Sequence, residues 1–190
     1  GYEWHDFDTR FDTAVEPNEA HRFGWVVEID PKDPSSTPIK RTALGRFKHE
    51  GATCTVSQGG HAVVYMGDDE RFEYIYKFVS KDTIKKGGFA ANKNILDEGK
   101  LFVAQFNDKG QGAWVELTQG MNGLTPQAGF ATQADVVTKC RLAADTVGAT
   151  KMDRPEWIAV HPVTKEVFVT LTNNSLRGQA GRGRAVPEPS

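Results

Sequence analysis

Phe72-Glu73-Tyr74-Ile75-Tyr76-Lys77-Phe78-Val79 carries aromatic rings at 72, 74, 76 and 78, each separated from the next by one other residue. Alternation with a period of two marks a pleated strand, because successive side chains point to opposite faces. A helix would scatter those rings around its axis, so the segment reads as a β-strand with one aromatic face. His61-Ala62-Val63-Val64-Tyr65-Met66, closed by Gly67-Asp68-Asp69, is a strand before it. Earlier still, Phe23 to Asp30 reads as a strand that runs into Pro31, Pro34 and Pro38 and so into an extended loop. Downstream, Leu101–Phe106 turns at Asn107-Asp108-Lys109-Gly110 and returns as Gly112–Leu117. Trp157–His161 and Glu166–Leu171 form a similar pair around Pro162–Lys165. Roughly seven strands, mostly in hairpins, lack the strand–helix alternation of a parallel sheet.

One stretch has helical spacing. Val136, Val137, Cys140, Ala143, Ala144 and Val147 fall three and four apart, Thr132 and Asp135 make a capping box, and Gly148 stands at the stop. A single helix over 134–147 is therefore expected as an excursion from a mainly β chain. Composition agrees: nineteen glycines, nine prolines and eleven phenylalanines in 190 residues suit many turns and aromatic packing. With 23 basic and 25 acidic residues, a formal charge of −2 argues against a nucleic-acid partner. No apolar run approaches the ~20 residues needed for a membrane span. Cys54 and Cys140 have no CxxC spacing and read either as one bridge or as two free buried thiols. The chain opens Gly1-Tyr2-Glu3-Trp4-His5, with neither an initiator Met nor a signal peptide, and so reads as cut from something longer. Leu176 to Ser190, rich in Gly, Arg and Pro, reads as a flexible tail after a domain over 1–175.

Three charged constellations stand out. In Met152-Asp153-Arg154-Pro155-Glu156-Trp157, proline 155 pushes Arg154 toward extended backbone. Arg154 and Glu156 would then share one side of a strand, a guanidinium for an anionic oxygen beside a carboxylate for a hard cation. The plainer reading is a surface ion pair worth less than about 1 kcal/mol, which spacing alone favours. Asp68-Asp69-Glu70-Arg71 repeats the chemistry. Crowded carboxylates repel unless a cation such as calcium neutralises them, although an acidic hairpin turn explains them too. Glu70 and Arg71 could serve together only across a turn or bulge. The third constellation, Lys48-His49-Glu50-Gly51, has no HExxH partner. No GxSxG elbow, Walker loop or dinucleotide fingerprint is present, which sets aside serine hydrolases, NTPases and dinucleotide enzymes.

Five segments in order, Phe23–Pro31, Leu44–Ala52, Tyr65–Arg71, Glu73–Val79 and Asp153–Pro162, resemble the PhoX-type alkaline phosphatases, and Glu166–Asn174 continues the likeness. The resemblance implies part of a six-bladed β-propeller, a cluster of iron(III) and calcium in its channel, and phosphomonoesters or inorganic phosphate as ligands. It further implies export to the periplasm or beyond. By the same resemblance Glu70 and Glu156, with Glu50 in a similar context, would be metal ligands, and Arg71 and Arg154 would hold the substrate phosphate. At ~45 residues per blade this chain supplies at most about four blades. The remainder of the propeller would complete the ring, and the isolated chain would have an incomplete site. Two readings stay open beside it: a non-catalytic calcium-binding β-module, and a calcium-dependent lactonase-like propeller.

Overall fold

A computed structural model describes residues 2–179. Its centre is an antiparallel meander of β3 (His49–Val56), β4 (His61–Asp68), β5 (Ile75–Thr83), β6 (Gly99–Phe106) and β7 (Gly112–Glu116), hydrogen-bonded in that order. Before it, β1 (Val27–Glu28) pairs with β2 (Ile39–Lys40); after it, β8 (Pro155–Val160) pairs with β9 (Val167–Leu171). A short α1 (Gly88–Asn92) interrupts the β5–β6 connection, and α2 (Gln133–Thr138) and α3 (Cys140–Thr146) lie between β7 and β8. Among the described residues the strands form three separate antiparallel sheets and no closed barrel.

The aromatic alternation builds the main core. Tyr74, Tyr76 and Phe78 are buried on one face of the meander with Met66, Leu101 and Val103, against Val136, Cys140, Ala143 and Ala144 of the two helices. Tyr76 stacks on Phe47 with ring centroids 4.2 Å apart. Phe72 departs from the expected strand: its backbone has φ 67°, and β5 starts only at Ile75. The reason is tertiary, since Phe72 N–H donates to Met152 O and the chain turns there to meet the segment before β8.

Other expectations need correction. The helix over 134–147 is two helices that break at Lys139, whose φ of −101° and ψ of 38° leave the helical region. The expected capping box is formed by Thr132 and Asp135, and Gly148 has φ 71° after the last turn. Of the strand expected over Phe23–Asp30, only Val27–Glu28 is paired. Gly67 and Asp68, expected to close a strand, extend β4. β3 was not anticipated; its Thr53-Cys54-Thr55 centre is polar, and only alternate residues are partly buried. Both cysteines are free, Cys140 buried but Cys54 exposed. Of the expected tail, residues 180–190 lie outside the described residues, while Arg177 is anchored to Asp153 and lies over the Phe72 ring.

The second face of the meander receives β8. Ile158 packs with Ile75 and Ala104 there. Gly51 and Gly67 face each other across β3 and β4. A Cβ on Gly67 would lie 2.7 Å from both Pro155 O and Glu156 O. Only a residue without a side chain lets the β8 backbone come so close. That approach places the start of β8 beside the end of β4, where the charged residues collect.

Candidate functional site

The β4–β5 connection is a tight turn. Glu70 N–H donates to Asp68 O at 2.8 Å, and Glu73 N–H to Glu70 O at 3.2 Å. This turn brings Asp69, Glu70 and Arg71 to one end of the sheet. An antiparallel bridge between Arg71 and Asp153 ties it to the segment leading into β8. Phe72 N–H to Met152 O and Met152 N–H to Glu73 O, both 2.9 Å, continue the tie. Residues 85 positions apart therefore meet: Arg154 Nη2 donates to Asp69 Oδ2 at 3.0 Å, with Nε 3.0 Å from Oδ1. The same guanidinium reaches Glu156 Oε1 at 3.4 Å, and Thr172 Oγ1 donates to that oxygen at 3.0 Å.

Glu70 and Glu156 thus lie in one neighbourhood. The Arg154 pKa is raised, first by its hydrogen bond to Asp69 and, with smaller shares, by the charges of Glu156 and Glu70. Glu70 accepts from Lys48 Nζ and from its neighbour's amide, Arg71 N–H at 3.0 Å. Lys48 first, then that amide, holds the Glu70 carboxyl below its usual range. The Arg71 side chain is exposed. Glu50 sits at the bulge between His49 and Gly51 at the same end of β3, with an exposed side chain. Asp153, at the centre of the tie, accepts from Asn174 Nδ2 at 2.7 Å and from Arg177 Nε.

One expectation about backbone is corrected. Arg154 is not extended but has φ 51°, a left-handed conformation that costs a non-glycine residue about 1–3 kcal/mol. Its double pairing to Asp69 and Glu156 and the neighbouring bridge hold it there despite Pro155. The Arg154–Glu156 pairing arises all the same, through a bent backbone and not through strand periodicity.

The sequence marks Asp68 as part of the acidic constellation but gives no sign of its burial or of its partner. Asp68 is fully buried, and Arg141 from α3 grips it with two contacts, Nε to Oδ2 at 2.7 Å and Nη2 to Oδ1 at 2.6 Å. Lys48 N–H adds a longer contact to Asp68 Oδ1 at 3.3 Å. Burial pushes the Asp68 carboxyl upward, and Arg141 only partly offsets that rise. Nothing in the spacing of a lone arginine on an amphipathic helix announces such a partner 73 residues away. Thr172 and Arg177 gave no signal for the same reason.

Comparison with known proteins places the chain as a whole. The sequence model of the family described as "Alkaline phosphatase PhoX" matches residues 1–188. The chain belongs to the PhoX alkaline phosphatase family. A solved PhoX of Pseudomonas fluorescens, described as in complex with vanadate, a transition state analogue, superposes with a TM-score of 0.90 at 58% sequence identity. The match covers 95% of this chain and 32% of that PhoX chain, so this chain spans about a third of its relative's length. No curated protein matches.

The carboxylates of this PhoX chain form an oxygen-only donor set, which suits a hard cation. Asp69 Oδ1 is buried yet makes no aligned hydrogen bond, despite the nearby Arg154 Nε. However, among the described residues no group of three or more His, Cys, Asp or Glu side chains is placed to hold a metal ion. Calcium alone takes six to eight oxygens. Glu70 and Glu156 by themselves therefore do not make up a complete cation site. No helix among the described residues is long and apolar enough to cross a membrane.

Proposed function

We propose that this chain carries part of the phosphate-binding site of an exported PhoX phosphomonoesterase built on a six-bladed propeller. The observation that supports it most is the Arg71–Asp153 bridge, which sets Arg71, Arg154, Glu70 and Glu156 on one rim. The vanadate in the related PhoX supports phosphate as the ligand. Hydrolysis of a phosphomonoester breaks the P–O bond to the alcohol and adds water, leaving the alcohol and inorganic phosphate. Charge on the non-bridging oxygens must be neutralised throughout.

Arg71 and Arg154 serve that need. A guanidinium presents several N–H donors in a planar fork that matches phosphate oxygens. Arg154 is aimed by Asp69 and Glu156, so it meets the phosphate already oriented. Arg71 is exposed, and would reach the phosphate from the turn. Glu70 and Glu156, with Glu50 a third candidate, would give oxygens to iron(III) and calcium in a cage completed by residues beyond this chain. Such cations, when bound, supply charge neutralisation and an activated water oxygen at working pH.

Turnover of p-nitrophenyl phosphate with calcium and iron tests the reading. Arg71→Ala and Arg154→Ala should each lower kcat/KM by about a hundredfold, as loss of a transition-state donor does. Full activity in both variants would remove the phosphate role from these arginines. Binding of calcium with no phosphate- or vanadate-dependent shift in melting would favour a non-catalytic calcium module instead.

A further inference from the structure

The turn that carries Glu70 and Arg71 is gripped from the side opposite the rim. Arg141 makes its two-pronged contact with Asp68, the last residue of β4, and stands 3.7 Å from Glu73 Oε2 on the other side of the turn. Asp68 O in turn accepts the Glu70 N–H. A single guanidinium on α3 therefore spans both ends of the segment 68–73. We propose that Arg141 is a positioning residue, which through Asp68 fixes the Asp69–Arg71 turn against Arg154 and so sets the geometry of the phosphate clamp.

The physical case rests on burial and connectivity. Asp68 has no exposed surface, so its carboxylate depends on protein partners for solvation. Its side chain cannot swing to water if Arg141 is lost without displacing its own backbone. That backbone holds Glu70, and the next residue, Asp69, aims Arg154. A shift of the turn is thus transmitted to both arginines of the clamp. The proposal rests on the phosphate reading above for what the turn does, but not for Arg141's hold on it.

The test uses the full-length polypeptide. Arg141→Ala and Asp68→Ala should each lower kcat/KM on the order of tenfold to a hundredfold, as displacement of positioned groups does. The loss should fall mainly on KM and on vanadate affinity, with the double variant no worse than either single one. Arg141→Lys, which keeps the charge but not the two-pronged geometry, should recover part of the loss. Val136→Ala, a core truncation elsewhere in the helical layer, controls for simple destabilisation and should leave KM and vanadate affinity alone. Hydrogen–deuterium exchange across 69–72 should rise in Arg141→Ala and not in the control. Wild-type KM and vanadate affinity in Arg141→Ala, or unchanged exchange across 69–72, overturns the proposal. A wild-type protein that neither turns over nor binds the phosphate analogue sinks the phosphate reading alone, and the exchange result then decides Arg141's role.

Discussion

Two guanidinium groups hold the same turn from opposite sides. Arg141 meets a carboxylate with no exposed surface, whereas Arg154 meets Asp69 and Glu156 where both retain contact with solvent. On the buried side, Asp68 has no solvent to turn to, so removing Arg141 strands its carboxylate. On the open side, water can replace a lost partner, so the pairing contributes little to stability and stays available to a ligand. Similar chemistry thus supports the fold on one side of the turn and leaves solvent-accessible ion pairs on the other.

The contrast breaks most easily at Arg141. Arg141→Ala should destabilise the fold by about 3–5 kcal/mol, because Asp68 would be left buried without its guanidinium partner. Chemical denaturation reads this directly, and a loss below about 1 kcal/mol would show that the buried side is no different from the rim. The next largest effect depends on pH. His49 stacks on Phe47 at 3.7 Å, and burial lowers its pKa to about 4 from 6.5. Neutral His49 therefore contributes stability that is present above about pH 6.5 and lost as pH falls through about 4. The full swing is about 3 kcal/mol, and His49→Phe should flatten that part of the pH–stability curve.

Gly67→Ala sharpens the comparison by separating the two sides. Its Cβ would press on backbone oxygens of β8, which cannot yield as a flexible side chain does. A cost of about 1–3 kcal/mol is expected, together with loss of phosphate binding as the rim opens. Arg154→Ala should have the smallest effect on stability, less than about 1 kcal/mol. Its large effect should fall on turnover, and a large stability loss there would erase the distinction.

The sequence carried the mainly β character, the hairpins and the helical capping signals because each depends on residues a few positions apart. Tyr74, Tyr76 and Phe78 announced a core face by alternation alone. β3 escaped notice since Thr53, Cys54 and Thr55 form a strand mainly by pairing with β4. The helix break at Lys139 escaped because the apolar spacing continues across it. At the site, the types Glu70, Arg71, Arg154 and Glu156 were legible as charge crowded around turn residues. Asp68 and Asp69 belonged to the same crowded turn, but Thr172 and Arg141 looked like any other polar residues of the surface.

Local order in the chain therefore determined which segments are strands, where helix α2 is capped, and which charged residues cluster. The tertiary structure alone decided which of those charges are buried and what they face. Arg154 meets Asp69 only because Gly67 admits β8 onto the sheet, and Arg141 meets Asp68 only because the helices cover the opposite face. Burial and partner choice depend on residues far apart in the chain, and no spacing rule reaches across 73 or 85 positions.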